Sequence, residues 1–318
     1  MTNIHRSRMR VVPAAVLLIC CGGTALAQIN SLNSDTHAII GARAAAVADA
    51  YAGEAYDAST IYWNPAGLSF VRFTQATASL AFEVLPTKDV ITTENIAVPL
   101  PRIGDWSFGI GGTVNQIASI ASGSPLQGLT YSQMGFDFGV SKVITTPFSV
   151  GASLRARYAK NNYSDLWAFS GSLGVFYAPV QGFTYGAMAT GFGSGIDYPY
   201  DQATNVFDLT RGPLSQTFQG GLSMRYPLNP VEPEVLTFFF TNEKVKGVRG
   251  LVYKIGMEIY PWSFLVLRGG YWTGPVSAAA KWGTGIRLGN VSVDYALAVS
   301  EVEPIFHQFT LAYNIPSR

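Results

Sequence analysis

The sequence is poor in cysteine and histidine. Its cysteines are Cys20 and Cys21, and its histidines are His5, His37 and His307. We expect the N-terminal stretch that holds both cysteines to be removed, so the mature protein would contain no disulfide, no metal–thiolate site and no cysteine nucleophile. We therefore expect neither a bound metal nor a cofactor.

Charge is scarce as well. Asp, Glu, Lys and Arg make up 13% of the 318 residues, about half of the usual share in a soluble domain. A soluble surface needs roughly a quarter or more charged residues, which this composition cannot supply. The alternative of a soluble β-sandwich or periplasmic barrel is therefore disfavoured. The net charge of +1 also gives no strong field that would attract nucleic acid.

Long apolar runs are absent beyond the N-terminal stretch. The mean hydropathy is nevertheless positive, at +0.21, and no later run approaches the about 20 residues that a spanning helix requires. The apolar residues must therefore alternate with polar ones. Such alternation is typical of a transmembrane β-barrel, whose strands face lipid and lumen in turn.

The first residues have the organisation of a secretory signal peptide. Residues 6–10 contain three arginines, residues 11–21 are mostly apolar, and residues 25–27 read Ala-Leu-Ala, which matches the cleavage pattern. The apolar run is too short for a transmembrane anchor, and residues 18–19 lack the small side chains expected before a lipidated cysteine. We expect residues 1–27 to be a cleaved signal peptide for a protein of the cell outer membrane.

Period-two alternation identifies the strands. In 217–226, TFQGGLSMRY, one face carries Phe, Gly, Leu, Met and Tyr, and the other carries Thr, Gln, Gly, Ser and Arg. Nine to eleven alternating residues span a membrane as a tilted strand. We predict fourteen such strands near 72–83, 93–100, 106–117, 130–142, 148–158, 167–178, 183–191, 216–226, 235–243, 249–260, 263–272, 279–288, 291–300 and 306–315.

The connections support this count. Those after even-numbered strands are mostly short, for example ITTP and PVQG, and those after odd-numbered strands are mostly longer, for example the segment 192–215. Outer-membrane barrels have short periplasmic turns and longer outer loops. The fold prediction is thus an all-β, fourteen-stranded antiparallel transmembrane barrel over 71–318, preceded by a small helical hatch or plug within 28–70.

Ten charged residues fall on the polar faces of the predicted strands and should point into the lumen. We expect them to pair with one another or with acidic hatch residues such as Asp49, Glu54 and Asp57. The alternative is a ladder that lines a substrate path, where the excess of basic residues would suit a carboxylate-bearing ligand. The ten are Asp137, Arg155, Arg157, Arg225, Lys254, Glu258, Arg268, Lys281, Arg287 and Asp294.

The N-terminal segment 38–69 breaks the strand pattern. It is rich in alanine and other small residues, and 47–51 is predicted to be helical. Small side chains allow the tight packing that a plug inside a lumen needs, although a flexible periplasmic tail is the alternative. Within IYWNPAGLS, residues 61–69, Asn64 can cap a turn that Pro65 enters.

Residues 41–68 resemble the N-terminal signature of the PorV/PorQ family, which is related to the FadL-type fatty-acid transporters. The resemblance implies a fourteen-stranded outer-membrane barrel with an N-terminal hatch. Ala48-Asp49 stands where that family commonly has Gly-Gly, and Tyr56 stands where it usually has a second Asp. The matching hatch-motif residues are Arg43, Asp57, Tyr62, Trp63, Asn64, Pro65, Ala66 and Gly67.

Two functions follow from this resemblance. The first is a component of type IX-like protein secretion or surface attachment, with secretion-system proteins or exported cargo as partners. The second is FadL-type passive transport of long-chain fatty acids or other hydrophobic small molecules. Outer-membrane lipid surrounds the protein in either case.

No catalytic motif is apparent in the sequence. His307 has no fixed Ser or Asp partner. GFGSG at 191–195 lacks the strand–helix context of a phosphate loop, so we interpret it as an outer loop. We therefore expect the protein not to be an enzyme.

Overall fold

The structure, a computed structural model, describes residues 40–54, 57–71, 74–84, 88–119, 122, 130–197, 200–201, 206–207, 209–228, 233–275, 278–299 and 305–315. The expected signal peptide, the first residues of the N-terminal segment and the C-terminal tripeptide lie outside this part of the chain. Among the described residues, no helix is long and apolar enough to cross a membrane.

Fourteen long antiparallel strands form a closed barrel. They are β1 (Thr74–Val84), β2 (Val90–Pro99), β3 (Trp106–Ser119), β4 (Tyr131–Thr145), β5 (Phe148–Asn161), β6 (Asp165–Val180), β7 (Phe183–Asp197), β11 (Thr217–Tyr226), β12 (Leu236–Val245), β13 (Val252–Trp262), β14 (Leu265–Thr273), β15 (Ala278–Leu288), β16 (Val291–Val299) and β17 (Ile305–Ile315). Pairing of β1 with β17 closes the sheet, and each predicted strand corresponds to one of these.

Three short strands lie between β7 and β11. They are β8 (Tyr200–Asp201), β9 (Val206–Phe207) and β10 (Thr210–Pro213). β8 pairs with β9, and β10 pairs with the outer end of β7. Because β7 continues to Asp197, the prediction that 191–195 is an outer loop is wrong.

Side chains alternate across the wall in the sense of a membrane barrel. On β17, Gln308 and Thr310 are buried in the lumen, whereas Phe309 and Leu311 are 46% and 53% exposed on the outer face. Apolar groups outside and polar groups inside are the reverse of a soluble barrel, and they match a wall that lipid surrounds. Two-residue turns at 146–147, 181–182, 263–264 and 289–290 mark the end that we assign to the periplasm.

The N-terminal segment lies inside the barrel. It contains α1 (Ala42–Ala46), α2 (Thr60–Trp63) and a 3-10 helix (Pro65–Phe70). Its 3-10 helix packs near the periplasmic ends of β4 to β6, whereas α1 and the turn after it reach the outer ends of β15 to β17, near Lys281 and Phe306. The predicted helix at 47–51 is wrong: the chain turns there, with Ala48 at φ 57° and Asp49 at φ 59°. Left-handed backbone ends a right-handed helix, and it is the conformation that glycine favours.

Candidate functional site

The hatch, defined as residues 40–54 and 57–70, fits closely against glycines of the barrel wall. A Cβ added at Gly256 would lie 2.5 Å from the Val47 Cβ, and one added at Gly53 would lie 2.6 Å from the Leu222 Cα. The main chain of hatch and wall can touch only because no side chain stands between them. The same holds at Gly151, Gly186 and Gly270, so the hatch fills the lumen from wall to wall at this level.

Arg43 anchors α1 to the wall. Its Nε and Nη2 donate to the two carboxylate oxygens of Glu258, both at 2.8 Å. Nη1 lies 3.3 Å from Asp57 and 3.6 Å from Glu54. Burial opposes the charge of Arg43, but the attractions of Glu258, Tyr51 and Glu54, together with the hydrogen bond to Glu258, outweigh it and hold the pKa of Arg43 well above its usual value. A bidentate pair of this kind fixes the orientation of both partners.

The carboxylate of Glu258 also receives hydrogen bonds from its own wall. Arg268 Nε donates to it at 2.6 Å and Tyr260 Oη at 2.7 Å. Arg268 Nη1 then contacts Asp294 at 2.6 Å. Glu258 is fully buried, so this chain of charge-assisted bonds satisfies a carboxylate that would be costly to leave alone.

A second and a third ion pair join the hatch to other strands. Glu54 accepts from Arg225 Nη2 at 2.8 Å and from the Ser223 hydroxyl at 2.7 Å. Burial raises the pKa of Glu54, although the nearby arginines oppose this shift. Lys281 Nζ donates to Asp49 at 2.6 Å. Arg225 and Lys281 thus pair with acidic hatch residues, as one of the two sequence interpretations predicts.

Asn64 of the motif links three parts of the structure. Its side-chain nitrogen donates to the carbonyls of Ala52 and Val175, each at 3.1 Å. Its side-chain oxygen accepts from the Ala66 N–H at 3.2 Å, which caps the 3-10 helix that Pro65 begins. The capping role inferred from the sequence is present, and the bond to β6 is an addition that the sequence does not reveal.

The other motif residues hold the hatch together, and all of them except the partly exposed Asp57 are buried. Tyr62 donates to the Ile96 carbonyl at 2.8 Å, and Trp63 Nε1 donates to the Ile40 carbonyl at 3.1 Å. Asp57 accepts from the hydroxyls of Tyr51 and Ser59. The Gly67 N–H donates to the Asn64 carbonyl at 2.9 Å. These contacts give the motif a structural part in shaping the plug.

The remaining candidate residues of the lumen are also engaged. Arg155 pairs with Asp137 and lies over the Tyr62 ring, and Lys254 lies 2.8 Å from Glu243. Arg287, at the periplasmic end, packs on Tyr260 with 4.8 Å from its guanidinium carbon to the ring centroid. Arg157 is buried and has a partner of its own. The basic residues therefore do not form an unoccupied carboxylate site.

The wall is interrupted above the hatch, on the outer half of β7. β11 pairs with β7 up to Thr217–Thr190, and β10 resumes the same register at Pro213–Ser194. Residues 191–193 and 214–216 face each other without ladder pairs, and we call this interruption the seam. Gly191 at φ 81° and Gly193 at φ 135° lie in it, because no side chain would fit there: a Cβ at Gly191 would stand 2.5 Å from the Ser215 carbonyl oxygen.

The neighbouring strand pair is irregular at the same height. Pairing of β6 with β7 shifts between Gly171 and Leu173. The other register shifts among the described residues, at Val90, at 143–145, at 177–180 and at 259–262, lie near strand ends. A bulge in mid-wall beside a seam is thus a local feature of β7.

An apolar cluster occupies the outer end of the lumen next to the seam. Ile196 of β7 and Leu209, which precedes β10, pack with Tyr131, Ala159 and Ala168. Ile117 and Leu166 complete this outer apolar cluster. Sequence analysis missed it because Ile196 and Leu209 fall in a region that was interpreted as loop.

The geometry does not point to catalysis. In the described part of the chain, no group of three or more His, Cys, Asp or Glu residues could hold a metal ion. His307 Nδ1 lies 2.9 Å from the Tyr295 hydroxyl on the outer face, and the two rings are stacked. This arrangement is that of a membrane-interface pair.

Comparison with known proteins gives structural matches. No protein-family model and no curated protein sequence matches the chain. Its structure is similar to the Ralstonia pickettii toluene transporter TbuX, with 14% identity, 88% of this chain and 99% of that chain covered, and a TM-score of 0.64. It is also similar to the CymD monoaromatic hydrocarbon channel, with 12% identity, 87% of this chain and 98% of that chain covered, and a TM-score of 0.67.

A third match is a Pseudomonas aeruginosa FadL homologue, with 12% identity, 83% of this chain and 96% of that chain covered, and a TM-score of 0.55. None of the three is described as a PorV/PorQ protein, so that resemblance stays a prediction from the motif. At these identities the similarity establishes the fold: the chain is a closed fourteen-stranded barrel of the FadL type.

Proposed function

We propose that the protein is a non-enzymatic outer-membrane channel for the passive passage of uncharged hydrophobic small molecules. The observation that carries the proposal is the contrast along β7 and β11. The hatch fills the lumen against Gly186 and Gly221 of these strands, whereas the seam and the outer apolar cluster lie together nearer their outer ends. The hatch therefore blocks a hydrophobic molecule that enters from outside, while the seam beside it offers a wall segment without ladder pairs.

The route follows from these positions. The molecule leaves water for the outer apolar cluster, which the hydrophobic effect favours. From there the β7–β11 seam lies close by, since Ile196 belongs to the same strand as Gly193. Because three rows lack ladder pairs, this part of the described wall has few backbone hydrogen bonds to break. Passage through it ends in the bilayer, where an apolar molecule is stable.

The charges of the lumen favour a neutral substrate. Arg155, Arg225, Lys254, Arg268 and Lys281 each have an acidic partner. A carboxylate ligand would have to displace one of these partners. Two of the structural neighbours are described as a toluene transporter and a monoaromatic hydrocarbon channel. Aromatic hydrocarbons are therefore the first substrates to test, before fatty acids.

The test is reversible locking of the seam. Ser194→Cys with Pro213→Cys would join β7 to β10 at directly paired positions. We expect uptake of labelled toluene, in cells that lack other hydrocarbon channels, to fall towards the empty-vector level when the disulfide forms and to recover after reduction. A control, Ser292→Cys with Ala312→Cys, joins directly paired residues of β16 and β17, away from the seam and the outer apolar cluster, and should leave uptake unchanged.

Two results would contradict the proposal. If the native protein supported no more toluene uptake than the empty vector, the function itself would be wrong. If uptake were normal but equal in the locked and reduced seam variants, the proposed channel function would be supported, and the proposed route through the seam would be wrong.

The secretion hypothesis ranks second. It rests on the N-terminal motif, whose residues the structure uses to hold the hatch together. It predicts that loss of the protein leaves exported proteins unattached to the cell surface, with hydrocarbon uptake intact.

A further inference from the structure

The outer turn between β12 and β13 is folded over the lipid-facing side of the wall. Lys244 alternates outwards near the end of β12, opposite Phe218, which is 48% exposed on the outer face. The Lys244 ammonium donates to the carbonyls of Val248, at 2.5 Å, and Gly250, at 2.9 Å. Because these carbonyls reach an outward-facing side chain, the turn lies on the lipid side of the rim and not above the lumen.

Two further basic residues belong to this turn. The Lys246 N–H donates to the Gln216 carbonyl at 2.8 Å, which continues the register of β11 and β12 and places Lys246 on the same side as Lys244. Arg249 stands between the two residues whose carbonyls bind Lys244. Lys246 and Arg249 are both exposed. Three positive charges therefore lie together on residues 244–250, which we call the cationic turn.

Acidic residues do not balance these charges. Residues 242–252, which the structure describes throughout, contain one acid, Glu243. It faces the lumen, where it accepts from Lys254 at 2.8 Å. At the outer end of β5, by contrast, the exposed Lys160 stands directly opposite the exposed Asp165 of β6. The cationic turn thus differs from another lysine of the rim in its local excess of positive charge.

Apolar groups border the cationic turn on the membrane side. Val248 and Leu251 are exposed. On the wall beside them, the rings of Phe240 and Tyr253 are stacked, with centroids 6.5 Å apart. Aromatic rings near the strand ends of a barrel mark the membrane–water interface, where lipid headgroups lie. The three cations are therefore placed at the level of the headgroups, next to a surface that acyl chains can cover.

We propose that the cationic turn binds a phosphate group of an outer-leaflet lipid. Lys246 and Arg249 form charge-assisted hydrogen bonds with the phosphate oxygens. Lys244 is a positioning residue, because its bonds to two carbonyls hold the turn on the lipid side. The acyl chains lie along the face of Phe240 and Tyr253. A phosphorylated glycolipid such as lipid A matches both parts of this surface, and its binding is independent of the molecule that the channel carries.

The test is equilibrium binding of fluorescently labelled diphosphoryl lipid A to the protein, purified from outer membranes in a non-ionic detergent. The unlabelled lipid should compete about tenfold or more better than the same lipid after enzymatic removal of its phosphates. The affinity should fall as salt is added, because salt screens attraction between exposed charges. Inorganic phosphate at the same ionic strength should not compete, since it lacks the acyl chains.

Substitution of the two exposed cations locates the site. Lys246→Gln and Arg249→Gln should each weaken binding about fivefold, and the double variant about thirtyfold, which is the usual contribution of basic residues beside an anionic lipid surface. Lys160→Gln is the matched control and should leave the affinity unchanged, because Asp165 already faces that lysine. The substituted side chains are exposed, so each variant should keep the heat-modifiable gel mobility of a folded barrel.

Three outcomes would overturn the site. Equal affinity for the phosphorylated and the dephosphorylated lipid would show that apolar contact alone holds it. Displacement of the labelled lipid by inorganic phosphate would indicate a site for free anions. If Lys160→Gln weakened binding as much as Lys246→Gln, the attraction would belong to the whole rim and not to the cationic turn.

Discussion

Gly270 of β14 lies against the backbone of Val47 and Ala48 in the hatch: a Cβ at Gly270 would stand 2.5 Å from the Ala48 nitrogen. The next residue, Gly269, would place its Cβ 3.4 Å from the Trp282 ring, an ordinary contact distance. Adjacent glycines on one strand thus differ in whether the hatch needs them.

Substitution of these two glycines tests the seating of the hatch. We expect Gly270→Ala to push the hatch off the wall at a cost of about 1–3 kcal/mol and to raise the leak of small solutes. Gly269→Ala should leave the leak unchanged. Ion conductance in planar bilayers measures both. Equal conductance in the two variants would show that the hatch tolerates a gap at this point.

Glu258 and Glu54 are both fully buried carboxylates that bind arginine, but they should respond differently to loss of charge. Glu258 is shared by Arg43 and Arg268, so Glu258→Gln leaves two buried arginines short of a counter-charge, a loss of about 3–5 kcal/mol. We expect a strong rise in conductance and weaker heat resistance of the folded band on gels.

Glu54→Gln is the matched comparison. Burial already raises the pKa of Glu54, so its site disfavours the charge. A neutral amide can still accept from Arg225 through its oxygen, while its nitrogen donates to the Ser223 hydroxyl, which can turn to accept. Conductance should stay close to that of the native protein. A leak as large as that of Glu258→Gln would mean that the Glu54 charge is equally important for holding the hatch.

Asn64 gives a third test. Asn64→Ala removes three hydrogen bonds of a fully buried side chain and leaves the Ala52 and Val175 carbonyls without that donor. We expect a loss of about 1–3 kcal/mol, a folded barrel and increased permeability to small antibiotics. Ser215→Ala, at the exposed seam and away from the hatch, is the control. Unchanged permeability of Asn64→Ala would show that the hatch needs no anchor to β6.

The barrel could be predicted from the sequence because its cause is local. Each strand, such as 217–226, shows the alternation of lipid-facing and lumen-facing residues. The loop lengths indicate which end of the barrel faces the periplasm. The segment 47–51 was mispredicted as helical because alanine favours a helix, whereas packing of Val47 against Gly256 and Gly270 forces a left-handed turn at Ala48 and Asp49.

The seam could not be predicted, since it depends on register between strands. GFGSG looks like a loop in sequence, and only its pairing with β6 and β10 shows that it belongs to the wall. The period-two pattern correctly predicts that the charged candidate residues face the lumen. Their partners in the hatch can be identified only from the folded structure.

The acid response of the hatch is a fourth prediction, and its sign follows from Glu54. The pKa of Glu54 is raised in the docked hatch, so the docked state binds a proton more tightly than a released hatch would. Lowering the pH from neutrality through this raised pKa therefore favours docking, an effect complete below the ordinary carboxyl pKa. We expect conductance to fall on mild acidification.

Comparison with Glu54→Gln isolates this effect. The variant lacks the titrating group, so its conductance should not change over the same pH range, whereas that of the native protein should decrease. Bilayer recordings at fixed ionic strength keep screening constant. A rise in native conductance on mild acidification that is absent from Glu54→Gln would reverse the sign, and would mean that the ionised carboxylate with Arg225 is what holds the hatch in place.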